Sequence, residues 1–307
     1  MLRSTMLAAA RSRTVRAAVE AGPFTPLVDR FVAGTDVADA VAAARTIAAD
    51  RLVTVDHLGE DTPDRAQADA AVTAYRTLLG RLRTEGLADR VEVSVKLSAL
   101  GQRLPVDADK IALDSARQVC EAAAAAGTTV TVDMEDHTTT DSTLGIVQDL
   151  RVDYPWVGAV LQAHLRRTEG DCRDLAGPGS RVRLCKGAYD EPASVAYQRT
   201  DEVDRSFVRC LKVLMAGEGL PMVATHDPRL IAIARFLADR NDRTADDYEL
   251  QMLYGVRPRA QSELAAEGLR MRIYLPYGTE WFGYFMRRLG ERPANLAFFA
   301  RSLLTRG

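Results

Sequence analysis

The sequence predicts a closed α/β barrel of eight parallel strands, on three observations. Short β-rich runs alternate with Ala-, Leu-, Glu- and Arg-rich helical stretches from residue 50 onward. Eight such runs can be counted, and eight βα units in roughly 250 residues is what a (βα)8 barrel of the TIM type requires. Several runs are continuously apolar rather than alternating, which suits parallel strands covered on both faces. A doubly wound open sheet shares the alternation but is usually built from fewer strands.

In chain order, residues 1–50 read as helices packed on the barrel, with Phe24, Val28 and Phe31 in one turn and an Ala-rich stretch over 38–49. Residues 51–307 read as the barrel itself. Its predicted strands are Leu52–Asp56, Val91–Leu97, Thr129–Met134, Gly158–Gln162, Arg181–Lys186, Pro221–His226, Glu249–Leu253 and Met271–Pro276. Between them lie helices such as Asp109–Ala126, closed by Gly127, and Asp201–Ala216, followed by Gly217. Glycine after the last periodic residue is the usual helix stop. There is no fixed-period repeat and no domain linker.

Composition narrows the function. The 307 residues are 47% hydrophobic, and 40 basic against 42 acidic side chains leave no global field to attract nucleic acid. Cys120, Cys172, Cys185 and Cys210 lack CxxC spacing and read as reduced structural thiols of a cytoplasmic protein. No HExxH or opening His-x-His pair points to a metal. No apolar window of about 18 residues could span a bilayer. The first 19 residues carry Arg3, Arg11, Arg13 and Arg16 with no acid before Glu20. That stretch is either a solvated first helix, a targeting segment or a basic helix lying on an anionic membrane.

Polar residues gather at the predicted strand ends. Asp56-His57, Lys96, Asp133, Gln162, His164, Lys186, Thr225-His226 and Tyr274 all fall there, on the rim where barrel enzymes build their sites. Just past the eighth strand, Arg287 and Arg288 stand beside aromatics on a predicted helix. Two guanidinium forks can hold a small carboxylate, or they can form ordinary helix pairs with Glu291. Lys96 and Lys186 each end an apolar strand. Either could be a Schiff-base nucleophile, a fixed cation for an anionic ligand, or the structural partner of a barrel carboxylate such as Asp133. Neither a GxGxxG turn nor a P-loop is present, so any nucleotide cofactor must be held by rim residues.

These segments resemble the proline dehydrogenase family over roughly residues 50–300. The pieces are Val-Asp56-His-Leu-Gly-Glu60, Ser-Val-Lys96-Leu-Ser98, Val-Asp133-Met-Glu135, Val-Leu-Gln162-Ala, Arg183-Leu-Cys-Lys186-Gly-Ala-Tyr189, Ala-Thr225-His226-Asp, Glu249-Leu-Gln-Met-Leu253-Tyr-Gly, and Tyr274-Leu-Pro-Tyr-Gly with Tyr284 to Glu291. The resemblance implies a distorted barrel with its last helix over the mouth, noncovalent FAD, and oxidation of L-proline to Δ1-pyrroline-5-carboxylate. It implies that Lys96, Arg287 and Arg288 hold the proline carboxylate, that Ala188, Tyr189, Leu253, Tyr274 and Tyr284 wall the ring, and that Glu291 orients the arginines. Asp133 and Arg183 would form the catalytic shell. Met134, Gln162, Arg183, Lys186, Gly187, Ala188, Tyr189, Thr225 and His226 would contact FAD. The implied electron acceptor is a membrane quinone, with peripheral contact at the inner face of the membrane, and the product would pass to a separate pyrroline-5-carboxylate dehydrogenase. The alternatives are a Schiff-base aldolase using Lys186 or Lys96, and a noncatalytic amino-acid sensor.

Overall fold

The computed structural model describes residues 25–290. Phe24, the basic N-terminal stretch and Glu291 lie outside them. The eight predicted runs form a closed parallel barrel in sequence order: β1 (Leu52–His57), β2 (Val91–Val95), β3 (Val130–Val132), β4 (Gly158–Gln162), β5 (Arg181–Cys185), β6 (Leu220–Ala224), β7 (Glu249–Leu253) and β8 (Met271–Tyr277). Strand β8 closes on β1, with Leu52 opposite Arg272 and His57 opposite Tyr277. Strands β2, β3, β5 and β6 stop one or two residues before their predicted ends. The chain leaves the ladder where Lys96, Asp133, Lys186 and Thr225 begin the rim. Asp133 still donates its N–H to the Val95 carbonyl at 2.8 Å, which fixes the departure point.

The helices are α1 (Thr25–Asp29), α2 (Val37–Ala48), α3 (Arg65–Thr84), α4 (Ala108–Ala126), α5 (Thr140–Asp153), α6 (Thr168–Asp174), α7 (Thr200–Ala216), α8 (Pro228–Arg240), α9 (Pro258–Ala266) and α10 (Trp281–Gly290). Helix α3 shows how they are specified. Asp64 caps it by accepting from the Gln67 N–H, and Ala68, Val72, Tyr75, Leu78, Leu79 and Leu82 recur at helical spacing on its buried face. Its Tyr75 hydroxyl donates to the Ser94 carbonyl at 2.7 Å, tying the helix to β2. Helix α4 ends as predicted at Gly127, whose φ of 82° is a left-handed cap.

Outward strand residues such as Val53, Val93, Val132, Leu184, Leu250 and Ile273 form one core with the surrounding helices, and α2 joins it through Ala40, Val41, Ala44 and Ile47. A second cluster lies at the C-terminal rim. There Phe282, Tyr284, Phe285 and Met286 of α10 pack with Phe31, Val32, Leu58 and Val256, so α10 lies across the barrel mouth.

The barrel interior is ionic. Glu92 lies 2.6 Å from Arg181, 3.6 Å from Arg183 and 3.9 Å from Arg272. Glu249 pairs with Arg272 at 2.7 Å. Burial works against charge on Glu92, but Arg181, Arg272 and Arg183 outweigh it and hold the carboxyl well below its ordinary range. These acids and bases alternate with apolar residues along β2, β5, β7 and β8, because successive side chains point to opposite faces. No helix among the described residues is long and apolar enough to cross a membrane.

Candidate active site

Above that layer, four predicted site residues are joined directly. Lys96 Nζ lies 2.7 Å from Asp56 Oδ2, 3.5 Å from Asp133 Oδ2 and 3.3 Å from the Tyr274 hydroxyl. Tyr274 donates to Asp133 Oδ2 at 2.6 Å, and Arg183 Nη1 reaches Asp133 Oδ1 at 2.8 Å. Ser94 adds a hydrogen bond of 2.7 Å to the same oxygen, and Gln251 anchors Arg183 Nε at 2.7 Å. Asp133 is thereby fixed on both oxygens. Burial pushes against charge on Lys96, yet Asp56, Asp133 and Glu60 prevail and raise its pKa. A lysine so held is a permanent cation, the opposite of what a Schiff-base nucleophile needs.

One chain of ion pairs runs from the interior to the rim, joining Asp56, Glu92, Asp133 and Glu249 to Lys96, Arg181, Arg183 and Arg272. Asp56 is fully buried, and desolvation raises its pKa despite Lys96 beside it. Such matched burial defines geometry more surely than it adds stability.

Helix α10 contributes the arginines. Arg287 forms a fork with Glu60, Nη2 to Oε1 at 2.6 Å and Nη1 to Oε2 at 3.3 Å. The Arg288 guanidinium carbon lies 5.1 Å from the centre of the Tyr284 ring, one helical turn earlier. Burial and the charges of Glu60 and Glu135 raise the Tyr189 pKa while Arg287 opposes them. The predicted partner Glu291 lies outside the described residues.

The β5 and β6 ends form a second group. Gly187 has φ +102°, and a Cβ there would lie 2.5 Å from the His164 ring, so only glycine fits. Lys186, one residue earlier, pairs with Asp204 at 2.6 Å and lies 3.6 Å from Asp227. The buried Thr225 hydroxyl accepts the Asp227 N–H at 3.1 Å. His226 Nε2 accepts the Leu253 N–H at 3.0 Å, which leaves that nitrogen unprotonated and fixes Leu253, a predicted ring contact. Gln162 donates to the Glu135 carbonyl at 2.7 Å. Met134 is buried beside Asp133, and Ala188 is half-buried between Gly187 and Tyr189.

Sequence reasoning assigned no role to Asp56, Glu60, Ser98 or Glu135, although all four lie inside motifs it singled out. It also missed the ionic layer below them. The signal was present: polar or charged residues at every second position, as in Glu92 and Ser94, Arg181 and Arg183, or Glu249 and Gln251, on strands covered on both faces have only the barrel interior to enter.

A closed barrel with its ionic residues converging on the C-terminal rim has the architecture of a barrel enzyme. The chain belongs to the proline dehydrogenase family, whose sequence pattern matches residues 40–301. It is 35% identical over 305 residues to proline dehydrogenase 1 of Bacillus subtilis, covering 99% of each chain. It is 36% identical over 281 residues to the proline dehydrogenase of Deinococcus radiodurans, covering 91% of this chain and 90% of that one. Its fold matches a crystal structure of proline utilization A from Bdellovibrio bacteriovorus inactivated by N-propargylglycine, with a TM-score of 0.78 and 25% identity. That match covers 86% of this chain and 32% of the longer protein. The protein is thus an enzyme acting on proline.

Proposed function

We propose that the enzyme oxidises L-proline to Δ1-pyrroline-5-carboxylate with FAD as cofactor, and that electrons leave to a membrane quinone. The observation that carries this reading is the convergence of three cations, Lys96, Arg183 and Arg287, on one barrel mouth, each ion-paired with a fixed acid. Lys96, Arg287 and Arg288 would bind the carboxylate, while Tyr189, Leu253, Tyr274 and Tyr284 wall the ring and Ala188 lies beside them. The chemistry of the β5–β6 group fits a flat, phosphate-bearing cofactor: Gly187 admits close backbone approach, Lys186 supplies positive charge, and Thr225 a hydroxyl. Met134, Gln162, Arg183 and His226 complete the residues that would hold it.

FAD supplies the two-electron acceptor. Loss of hydride from proline C5 leaves a C=N bond and a positive nitrogen, which then releases its proton. The substrate amine must therefore enter neutral. Asp133, immobilised by Ser94, Arg183 and Tyr274, favours that developing positive charge and sets position rather than serving as a base. The Arg183 cation favours negative charge accumulating on the acceptor. The product would pass to a separate pyrroline-5-carboxylate dehydrogenase, and a quinone acceptor implies a cytoplasmic protein in peripheral contact with the membrane.

The test is the visible spectrum of purified protein, recorded anaerobically before and after L-proline. A flavin band bleached by proline supports cofactor and substrate together. A flavin band unmoved by proline, or a colourless protein that takes up no added FAD, would overturn the corresponding part.

A further inference from the structure

We infer that Ser98 and Glu135 are positioning residues that set the substrate-facing arginine through a relay, Glu135 to Ser98 to the Asp61 backbone to Glu60 to Arg287. The inference rests on Arg287 binding the proline carboxylate, as proposed above. Both oxygens of the buried Glu135 carboxyl are engaged by one residue: Ser98 Oγ donates at 2.6 Å and the Ser98 N–H at 3.0 Å. The same Ser98 oxygen accepts the Asp61 N–H at 3.2 Å. Thr62 repeats the stitch, with its N–H on the Ser98 carbonyl at 3.2 Å and its hydroxyl on the Ala99 carbonyl at 3.1 Å.

Asp61 has φ +52°, a left-handed conformation that Asp adopts more readily than most non-glycine residues, and its surroundings hold it there. Besides Ser98, those surroundings include Arg103, 3.0 Å from the Asp61 carboxylate and also paired with Asp136, next to Glu135. The turn therefore has restraints on its N–H, its side chain and its following residue. What it presents is Glu60, immediately before it, in a fork with Arg287. A buried acid on the β3 rim thus fixes where a guanidinium on α10 stands. None of these groups need touch the substrate.

The experiment measures proline KM and kcat for the wild type, Arg287→Met, Glu60→Ala, Ser98→Ala and the double variant Ser98→Ala/Glu60→Ala, with amide exchange of residues 59–62 in each. Loss of the Ser98 hydroxyl, which donates to Glu135 and accepts the Asp61 N–H, should raise KM about tenfold with kcat within about twofold, the order expected when hydrogen bonds that order a loop are lost. In the Glu60→Ala background the same substitution should add nothing, because residues acting in series are non-additive. A full multiplicative effect on top of Glu60→Ala overturns the relay. Arg103→Ala, an exposed position outside the core, tests it separately should Ser98→Ala not fold: faster exchange at Asp61 with raised KM is expected, and no change in either overturns it. If Arg287→Met leaves KM unaltered while Ser98→Ala still speeds exchange at Asp61, the carboxylate assignment fails and the loop mechanics stand.

Discussion

Replacing Lys96 with Met should cost stability because of what it leaves behind. Lys96 is 8% exposed and neutralises Asp56, which is 0% exposed, at 2.7 Å, with Asp133 at 3.5 Å. Removing one partner of a buried pair typically costs about 3–5 kcal/mol, since the stranded carboxylate cannot regain water. At about 2 °C per kcal/mol for a chain of this length, the melting temperature should fall roughly 6–10 °C at neutral pH. The pH dependence has a definite sign. Asp56 already has a folded pKa above its ordinary 3.8 through desolvation, and losing Lys96 raises it further. The deficit should therefore be small below 3.8 and open as pH rises towards the raised folded value. Asp56→Asn in the same chain should recover most of the stability but not proline affinity, since the cation is still missing. Thermal melts at acidic and neutral pH, with proline KM on both variants, check this. A melting temperature unchanged at neutral pH, or no recovery with Asp56→Asn, would refute the reasoning.

Arg287→Met should raise proline KM at least tenfold while the flavin-to-protein ratio stays unchanged; loss of flavin with intact KM would contradict its assignment to the carboxylate. Gly187→Ala places a Cβ 2.5 Å from the His164 ring at φ +102°, so it should cost about 1–3 kcal/mol and lower bound flavin; a melting temperature and a flavin content both like wild type would remove Gly187 from the cofactor cradle. Glu92 has a depressed folded pKa, so its contribution is present above its ordinary 4.5 and is lost as pH falls through the folded value. In acid titration followed by circular dichroism, Glu92→Gln should be less stable at neutral pH and lose less on acidification. An acid limb as steep as wild type would show that Glu92 does not carry it.

The barrel was legible because a βα repeat writes itself as alternating composition, and Val91–Val95 or Met271–Tyr277 can be little other than strands in that context. Strand ends were less legible. Val-Thr-Val-Asp-Met reads as one extended run, but the ladder ends at Val132 so that Asp133 can turn into the mouth. Residue types at the site were visible, since Lys96, Asp133, Tyr274 and Arg287 stand out as polar groups at rim positions. Their pairing was not. Lys96 meets Asp56, 40 residues away, because β2 pairs with β1 and sets Ser94 opposite Asp56, and Arg287 meets Glu60, 227 away, because β8 closes onto β1. No local pattern encodes that register.

The two rim cations differ in what they can offer a substrate. Lys96 and Asp56 are almost wholly buried, so their mutual attraction is strong and their desolvation already spent; they form a fixed floor. Arg287 and Glu60 are each about one quarter exposed, at 25% and 26%, where water screens the pair and its net worth is small. Glu60 approaches the guanidinium end-on, through Nη1 and Nη2, so the Nε edge of Arg287 keeps donors for a second carboxylate. Burial still works against the Arg287 charge, and Glu60 more than offsets it, so the guanidinium remains a cation without a substrate. An anion arriving at the mouth therefore meets a charge that is already oriented and not yet saturated. That combination allows one acidic neighbour to preorganise the site without blocking it.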